Sequence, residues 1–345
     1  MKFRNLLNTQ KNSISLDKNT SSLKRNETLD AIKYILICLV VVGHFIEPTK
    51  YTNEITQYIY CLIYSFHMPL FVMISGYFYK QREVKEELQK CIPMLEICIL
   101  SHIGFCLIQN HGNISLFNLV YFGVDPTWYL LSLIYWRMGT GLLLKRFSAK
   151  QILFFSITLD FVAFLCMIYG GILSIGRTIH LYPFFMLGYC MKNNLSFITQ
   201  KYKKTFILLG LVSLGFILST TSVLQFQIEF QRASLFELKQ FTDIVTYKII
   251  VYRYMLLACS LFISALVLII VEKKSVIQRL SAFGQNTLFI YYTQTFMYAF
   301  ISTMTISLKV SLTISFFVLP LLTWVSKWKG CRYLMNPLCS IARLK

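Results

Sequence analysis

Lys33 and His44 stand eleven positions apart in the first strongly apolar stretch of the chain, Ala31 to Phe45. Ionisable side chains are costly inside a bilayer, so a membrane segment that carries two of them is a candidate functional site. Eleven helical steps of about 100° make three turns and about 20° more, which puts both side chains on one face, about 16 Å apart along the axis. That is roughly half the hydrocarbon thickness of a bilayer. One helix face thus offers a cation towards one side of the membrane and a titratable base towards the other. Glu47 follows His44 by three residues and can share its face. A carboxylate beside an imidazole fixes its tautomer and raises its basicity, which suits a general base. Pro48 then ends the helix. The plainer alternative is a lysine that snorkels to the headgroups and an interfacial histidine.

A second apolar segment contains Phe66-His67-Met68-Pro69-Leu70-Phe71, followed by Ser75-Gly76-Tyr77-Phe78. A proline inside a span frees a backbone carbonyl, which protein or a polar cavity must satisfy. His67 lies close enough to line such a cavity; the alternative is a packed kink with a satisfied core histidine. Two spans that each carry a histidine point to a shared polar pocket. Glu96, His102, Arg137, Asp160 and Arg253 also fall within apolar segments. Pairing among some of these is expected, and Arg253, near the start of its segment, could instead snorkel.

These residues need helices to hold them. The chain has 345 residues, 56% hydrophobic and 14% charged, against about 25% charged in soluble domains. Its mean hydropathy is +0.57. The apolar residues come in long runs, so the expected fold is all-α: a polytopic integral membrane helix bundle. Ten segments can be drawn, at about 31–47, 55–79, 91–109, 119–143, 152–170, 173–191, 205–222, 249–271, 285–305 and 310–328. Asp125-Pro126 interrupts the fourth, and the short sixth holds Arg177 and His180 near its start. With the N-terminus in the cytoplasm, the cytoplasmic segments hold 25 Lys and Arg and the opposite side six, with three inside the segments. That asymmetry predicts ten spans with both termini inside. The net charge of +19 then belongs to loops and anionic lipid rather than to nucleic acid. Residues 1–29 form a basic N-terminal segment without the apolar core or cleavage site of a signal peptide. A transmembrane domain over 30–330 and a cytoplasmic tail over 331–345 follow, with an amphipathic surface helix expected over about 223–248. The ten cysteines show no C-x-x-C and no paired metal spacing, so neither a metal site nor a structural disulfide is expected.

The run Leu29-Asp30 … Lys33 … Val42-Gly43-His44 resembles the opening signature of the membrane-bound acyltransferase 3 family: a basic residue, ten arbitrary residues, then a histidine. Phe66-His67-Met68-Pro69-Leu70-Phe71 … Ser75-Gly76-Tyr77-Phe78 resembles the second-span signature of its fucose 4-O-acetylase-like branch. Three weaker likenesses follow in the same order. Thr127-Trp128-Tyr129-Leu130-Leu131 is similar to a Trp-aromatic-Leu segment. Tyr182-Pro183-Phe184-Phe185-Met186-Leu187-Gly188-Tyr189 is similar to a Pro-Phe-Phe-x-x-Gly-Tyr segment, and Phe283-Gly284-Gln285-Asn286-Thr287-Leu288-Phe289-Ile290-Tyr291 to a late Gly-x-x-Ser-Leu-x-Ile-Tyr segment. The late segment often ends Tyr-x-x-His in the family, whereas this chain has Gln294 there. Lys33 stands where arginine is commoner, which keeps the charge and loses the bidentate fork.

The resemblance implies an integral membrane O-acyltransferase in the cytoplasmic (inner) membrane of a bacterium. The implied reaction moves an acetyl group from cytoplasmic acetyl-CoA, a co-substrate rather than a resident cofactor, to a sugar hydroxyl of a surface polysaccharide or lipid-linked glycan. In that reading His44 is the general base or acyl carrier, with Glu47 or His67 orienting it. Lys33 would contact the donor. Trp128 and Tyr129 would stack on a sugar, or anchor at the interface. Asp30, Arg177, Arg253 and Gln294 complete the candidate substrate contacts. The expected partners are the acyl-CoA donor, the glycan acceptor and membrane lipid, without nucleic acid. The alternative is a secondary transporter or flippase whose buried charges serve as proton or substrate sites; the chain shows no internal repeat of the kind many transporters have.

Overall fold

A long apolar run in a bilayer has no water to satisfy its backbone, so it closes its hydrogen bonds on itself as helix. The computed structural model describes residues 27–50, 52–122, 125–166, 171–192, 194–220, 235–239, 246–272, 279–285, 287–304 and 306–328. The helices run α1 (Glu27–Ile46), α2 (Glu54–Phe78), α3 (Val84–Gln109), α4 (Leu116–Val120), α5 (Trp128–Leu143), α6 (Ala149–Cys166), α7 (Ile175–Cys190), α8 (Leu195–Lys201), α9 (Lys203–Thr220), α10 (Leu235–Lys239), α11 (Thr246–Val271), α12 (Thr287–Ile301) and α13 (Leu308–Val325). Leaving aside the short α4, α8 and α10, each helix falls within one of the ten apolar segments or overlaps most of it. Among the described residues, seven are long and apolar enough to cross a membrane. The other three, α5, α7 and α12, have 16, 16 and 15 residues, so the structure gives seven candidate spans and three shorter helices where the sequence suggests ten. The surface helix expected over 223–248 lies mostly outside the described residues, of which α10 is one piece.

Local chemistry sets the helix ends. Glu27 and Asp30 occupy the first turn of α1, where carboxylates oppose the positive end of the helix dipole. Pro48 turns the chain into a 3-10 segment, Glu47–Thr49. Asn53 caps α2 by accepting from the Thr56 amide at 3.0 Å. The fourth segment begins nine residues later than expected. Asp125 there accepts from the Thr127 amide at 2.8 Å and from its hydroxyl at 2.5 Å, so residues before Trp128 are committed to a turn. Pro69 cannot donate to the Ser65 carbonyl one turn earlier. Ser260 of α11 fills that position, its hydroxyl 2.5 Å from the Ser65 oxygen, so a neighbouring helix satisfies the kink.

Small residues let the helices meet. A Cβ at Gly76 would overlap the Phe185 carbonyl, and one at Gly188 would overlap the Met73 carbonyl. α2 and α7 therefore cross backbone to backbone, as glycine-bearing membrane helices do. Gly284 lies against the Asp30 carbonyl in the same way, which docks the 3-10 segment Arg279–Gln285 on the start of α1. These three glycines sit in the sequence motifs that carry the family resemblance, so part of what those motifs encode is helix contact. α1 packs against α2, α12, α13 and that 3-10 segment. On the outside, Phe154, Leu208, Phe316 and Phe317 are exposed, as residues that face acyl chains would be.

Candidate active site

A cavity of about 200 Å³ opens beside the C-terminal end of α1. It brings together side chains from five helices: His44, Tyr64, His67, Trp128, Arg177, His180 and Tyr298. Glu47 and Lys50 from the 3-10 turn and the segment after it also line it. Glu47 Oε1 accepts from Lys50 Nζ at 3.1 Å and from the Tyr60 hydroxyl at 2.9 Å. Its other oxygen lies 3.5 Å from His44 Nδ1. The Tyr64 hydroxyl approaches the same nitrogen at 3.4 Å, and the Tyr298 ring lies 4.6 Å from the imidazole. A proton on Nδ1 satisfies the carboxylate and leaves Nε2 as a base.

His67 has its tautomer set by the backbone. Its Nδ1 lies 2.7 Å from the Ile63 carbonyl oxygen. A carbonyl only accepts, so Nδ1 carries the proton and Nε2 keeps its lone pair. Asp125 enters the cavity wall from the turn before α5. It is held by Thr127 and by a close contact with His102 Nδ1. His102 Nε2 in turn faces the Asn118 and Leu119 carbonyls, each at 3.1 Å, and its ring stacks on Phe122 at 3.8 Å. These contacts tie α3 to Asn118, Leu119 and Asp125.

A second cavity, of about 320 Å³, lies towards the other end of α1. Lys33, Ser75, Tyr79, Arg137, Tyr129 and Tyr291 are among its walls. Lys33 Nζ pairs with Asp30 at 2.6 Å and sits 4.8 Å over the Phe78 ring. Arg137 pairs with the buried Glu87 at 2.6 Å, which also takes Arg82 at 3.3 Å. Tyr129 and Tyr291 line both cavities. Both are buried, and their rings meet edge-on with centroids 5.9 Å apart. The Tyr129 hydroxyl bonds Ser75 Oγ at 2.7 Å, and the Tyr291 hydroxyl donates to the Pro126 carbonyl. These two rings form the wall between the cavities.

The structure thus gathers His44, Glu47, His67, Trp128 and Arg177 around one space and puts Lys33 in the next. Arg177 lies 5.1 Å over the Trp128 ring, so one face of that indole is already covered. Tyr129, expected with Trp128 to stack on a sugar or to anchor at the interface, lines the same cavity and is packed by Phe71, Trp136 and Tyr291. Asp30 is not among the residues that line the second cavity; it pairs with Lys33, which is. Arg253 lies behind the first cavity, bonded to Asp160 at 2.9 Å and stacked 4.2 Å from the Phe164 ring. Gln294 is fully buried between the turns that carry Tyr291 and Tyr298. Sequence reasoning had noted His180 and Asp125 without giving them a role, and it missed Lys50, Tyr64 and Tyr298. For His180 a signal existed, since it is another histidine inside an apolar segment. The others are recognisable only once the helices are packed.

A family described as an acyltransferase domain matches residues 26–327. The nodulation protein NolL of Sinorhizobium fredii (strain NBRC 101917 / NGR234) is 29% identical over 180 residues, which cover 48% of this chain and 48% of that protein. The nodulation protein NolL of Mesorhizobium japonicum is 34% identical over 88 residues, covering 22% of this chain and 24% of that protein. The chain therefore spans about half the length of the first relative and about a quarter of the second. No solved structure matches it. A match over nearly the whole chain, on a bundle of apolar helices, makes this a multi-pass membrane protein that belongs to the acyltransferase family.

Proposed function

We propose that this acyltransferase moves an acetyl group from cytoplasmic acetyl-CoA to a sugar hydroxyl of a surface polysaccharide or lipid-linked glycan. The observation that carries the reading is the pair of cavities at opposite ends of α1, one with Lys33 and one with His44, parted by a thin aromatic wall. The donor would occupy the Lys33 side, where Lys33 and Arg137 offer positive charge to phosphate and amide groups. The acceptor would occupy the His44 side. His44 Nε2 would take the proton from the attacking hydroxyl while Glu47 stabilises the imidazolium. His67 Nε2, also an acceptor, would hold a neighbouring hydroxyl of the sugar. Trp128 and Arg177 would bound the sugar with one apolar and one charged surface. The charge asymmetry of the loops supports a bacterial inner-membrane location with both termini in the cytoplasm.

The test uses purified protein in lipid nanodiscs, acetyl-labelled acetyl-CoA and the glycolipid fraction of the producing cells. Alkali-labile label on the glycan supports the proposal, and surface glycans from cells without the gene should be lighter by one acetyl group. Label on no glycan, with glycan masses unchanged, would overturn it.

A further inference from the structure

Three buried side chains from three helices meet behind the first cavity. Asp160 comes from α6, His180 from α7 and Arg253 from α11. Arg253 Nη2 lies 2.9 Å from Asp160 Oδ1 and 2.6 Å from His180 Nδ1. His180 Nδ1 is itself 3.0 Å from Asp160 Oδ1. A guanidinium donates and never accepts. A proton on Nδ1 could go to Asp160, but it would then face the Arg253 N–H across 2.6 Å, so the shorter contact favours a lone pair on His180 Nδ1 towards Arg253. The two protons of Nη2 then serve one acceptor each, the carboxylate and the imidazole. The ring proton is left on Nε2, and that ring belongs to the wall of the cavity that holds His44 and His67.

We infer that His180 is a neutral N–H donor in this cavity, its tautomer fixed by Arg253, and that it stabilises the oxyanion of acyl transfer. The assignment rests on the acyl transfer proposed above. His67 and His180 are then opposites. The Ile63 carbonyl makes the first an acceptor at Nε2, and the Arg253 guanidinium makes the second a donor there. In the transfer step the acceptor oxygen bonds to the acyl carbon and gives its proton to His44. The carbonyl π electrons move onto the acyl oxygen, which becomes the oxyanion facing His180 Nε2–H. Collapse restores the carbonyl, breaks the carbon–sulfur bond and releases the thiolate of coenzyme A, which takes up the proton from His44. A fixed donor in a water-poor site stabilises such charge without reorganising at the moment of reaction. A donor of that kind acts on the transition state more than on bound substrate, so its loss lowers kcat and leaves KM. Asp160 and Arg253 are positioning residues here, since neither lines the cavity.

Two measurements test this. In wild-type protein labelled with ¹⁵N-histidine, the five histidines can be assigned by single substitution. His180 should show a bare Nδ1 and a protonated Nε2, and His67 the reverse. A protonated Nδ1 on His180 overturns the assignment whether or not the protein transfers acetyl. In the nanodisc assay, His180→Leu should lower kcat by about 10²–10³-fold with KM for acetyl-CoA unchanged. His180→Gln places an amide N–H near the same point and should stay within about tenfold of wild type. A glutamine variant as slow as the leucine one, or a loss confined to KM, would remove the donor role. If wild-type protein transfers nothing, the proposed function fails, and the tautomer measurement still decides the state of His180.

Discussion

Replacing Glu47 with glutamine removes one charge from the hydrogen-bonded set around His44 and keeps its size. Glu47 Oε1 is occupied by Lys50 and Tyr60, and the other oxygen faces His44 Nδ1 at 3.5 Å. At an effective dielectric near 20, an imidazolium at that distance gains about 5 kcal/mol from the carboxylate. Lys50 offsets part of this, and a side chain about one-fifth exposed is partly screened, so about 2 kcal/mol is a fair net value. By about 1.4 kcal/mol per tenfold in rate, Glu47→Gln should lower kcat about 30-fold. The glutamine would also turn an N–H towards Nδ1–H. Lys50 acts in the opposite sense. Lys50→Met removes the competing cation and should leave kcat unchanged or raise it several-fold. The assay is acetyl transfer to glycan in nanodiscs at saturating acetyl-CoA, with thermal stability measured in parallel. Equal losses in both variants would mean that the set is structural, and a Glu47→Gln rate within twofold of wild type would sink the electrostatic reasoning.

His44→Gln keeps hydrogen bonding and loses basicity, so label transfer should fall by about 10²–10⁴-fold while acetyl-CoA binding, followed by calorimetry, persists. Lys33→Ala should raise KM for acetyl-CoA, and Lys33→Arg should recover most of the affinity because the charge survives; equal, full activity in both would return Lys33 to a snorkelling role. Gly188→Ala forces a methyl group against the Met73 carbonyl and should cost about 1–3 kcal/mol, seen as a lower melting temperature in detergent; an unchanged melting temperature would refute the close crossing. Cysteine-accessibility labelling should find position 85 on the cytoplasmic side and position 240 on the other, and both on one side would reverse the direction assigned to Lys33 and His44.

Local patterns made part of this legible in advance. The positions of the ten helices follow from runs of apolar residues, because backbone satisfaction in lipid is a local requirement. Lys33, His44 and Glu47 share one helix or its first following turn, so their geometry is a matter of counting residues. The partners of His180 lie 20 and 73 positions away, and no helical period relates them. Ser260 reaches the carbonyl freed by Pro69 from 195 positions away from Ser65, so the sequence shows the vacant carbonyl but not its donor. Tyr129 illustrates the converse. Beside Trp128 it reads as a second sugar platform, and only the packed bundle shows that it also bonds Ser75 and lines the second cavity. Gly76 and Gly188 looked like motif letters, and only the crossing of α2 and α7 gives them a mechanical meaning.

The wall of Tyr129 and Tyr291 has an electrical consequence. With the cavities opening to opposite sides, as proposed, most of the insulating thickness of the membrane is replaced here by two wet recesses, and the transmembrane field concentrates across the rings between them. Each elementary charge carried through that field exchanges about 2.3 kcal/mol per 100 mV. Both hydroxyls are already engaged, one by Ser75 and one by the Pro126 carbonyl, so both rings of the wall are held in place. An acetyl group is neutral and crosses such a barrier without doing electrical work. The phosphates of the proposed donor are not, and they would stay on the side from which they came. The same two rings would thus keep the cell from leaking current through its own enzyme.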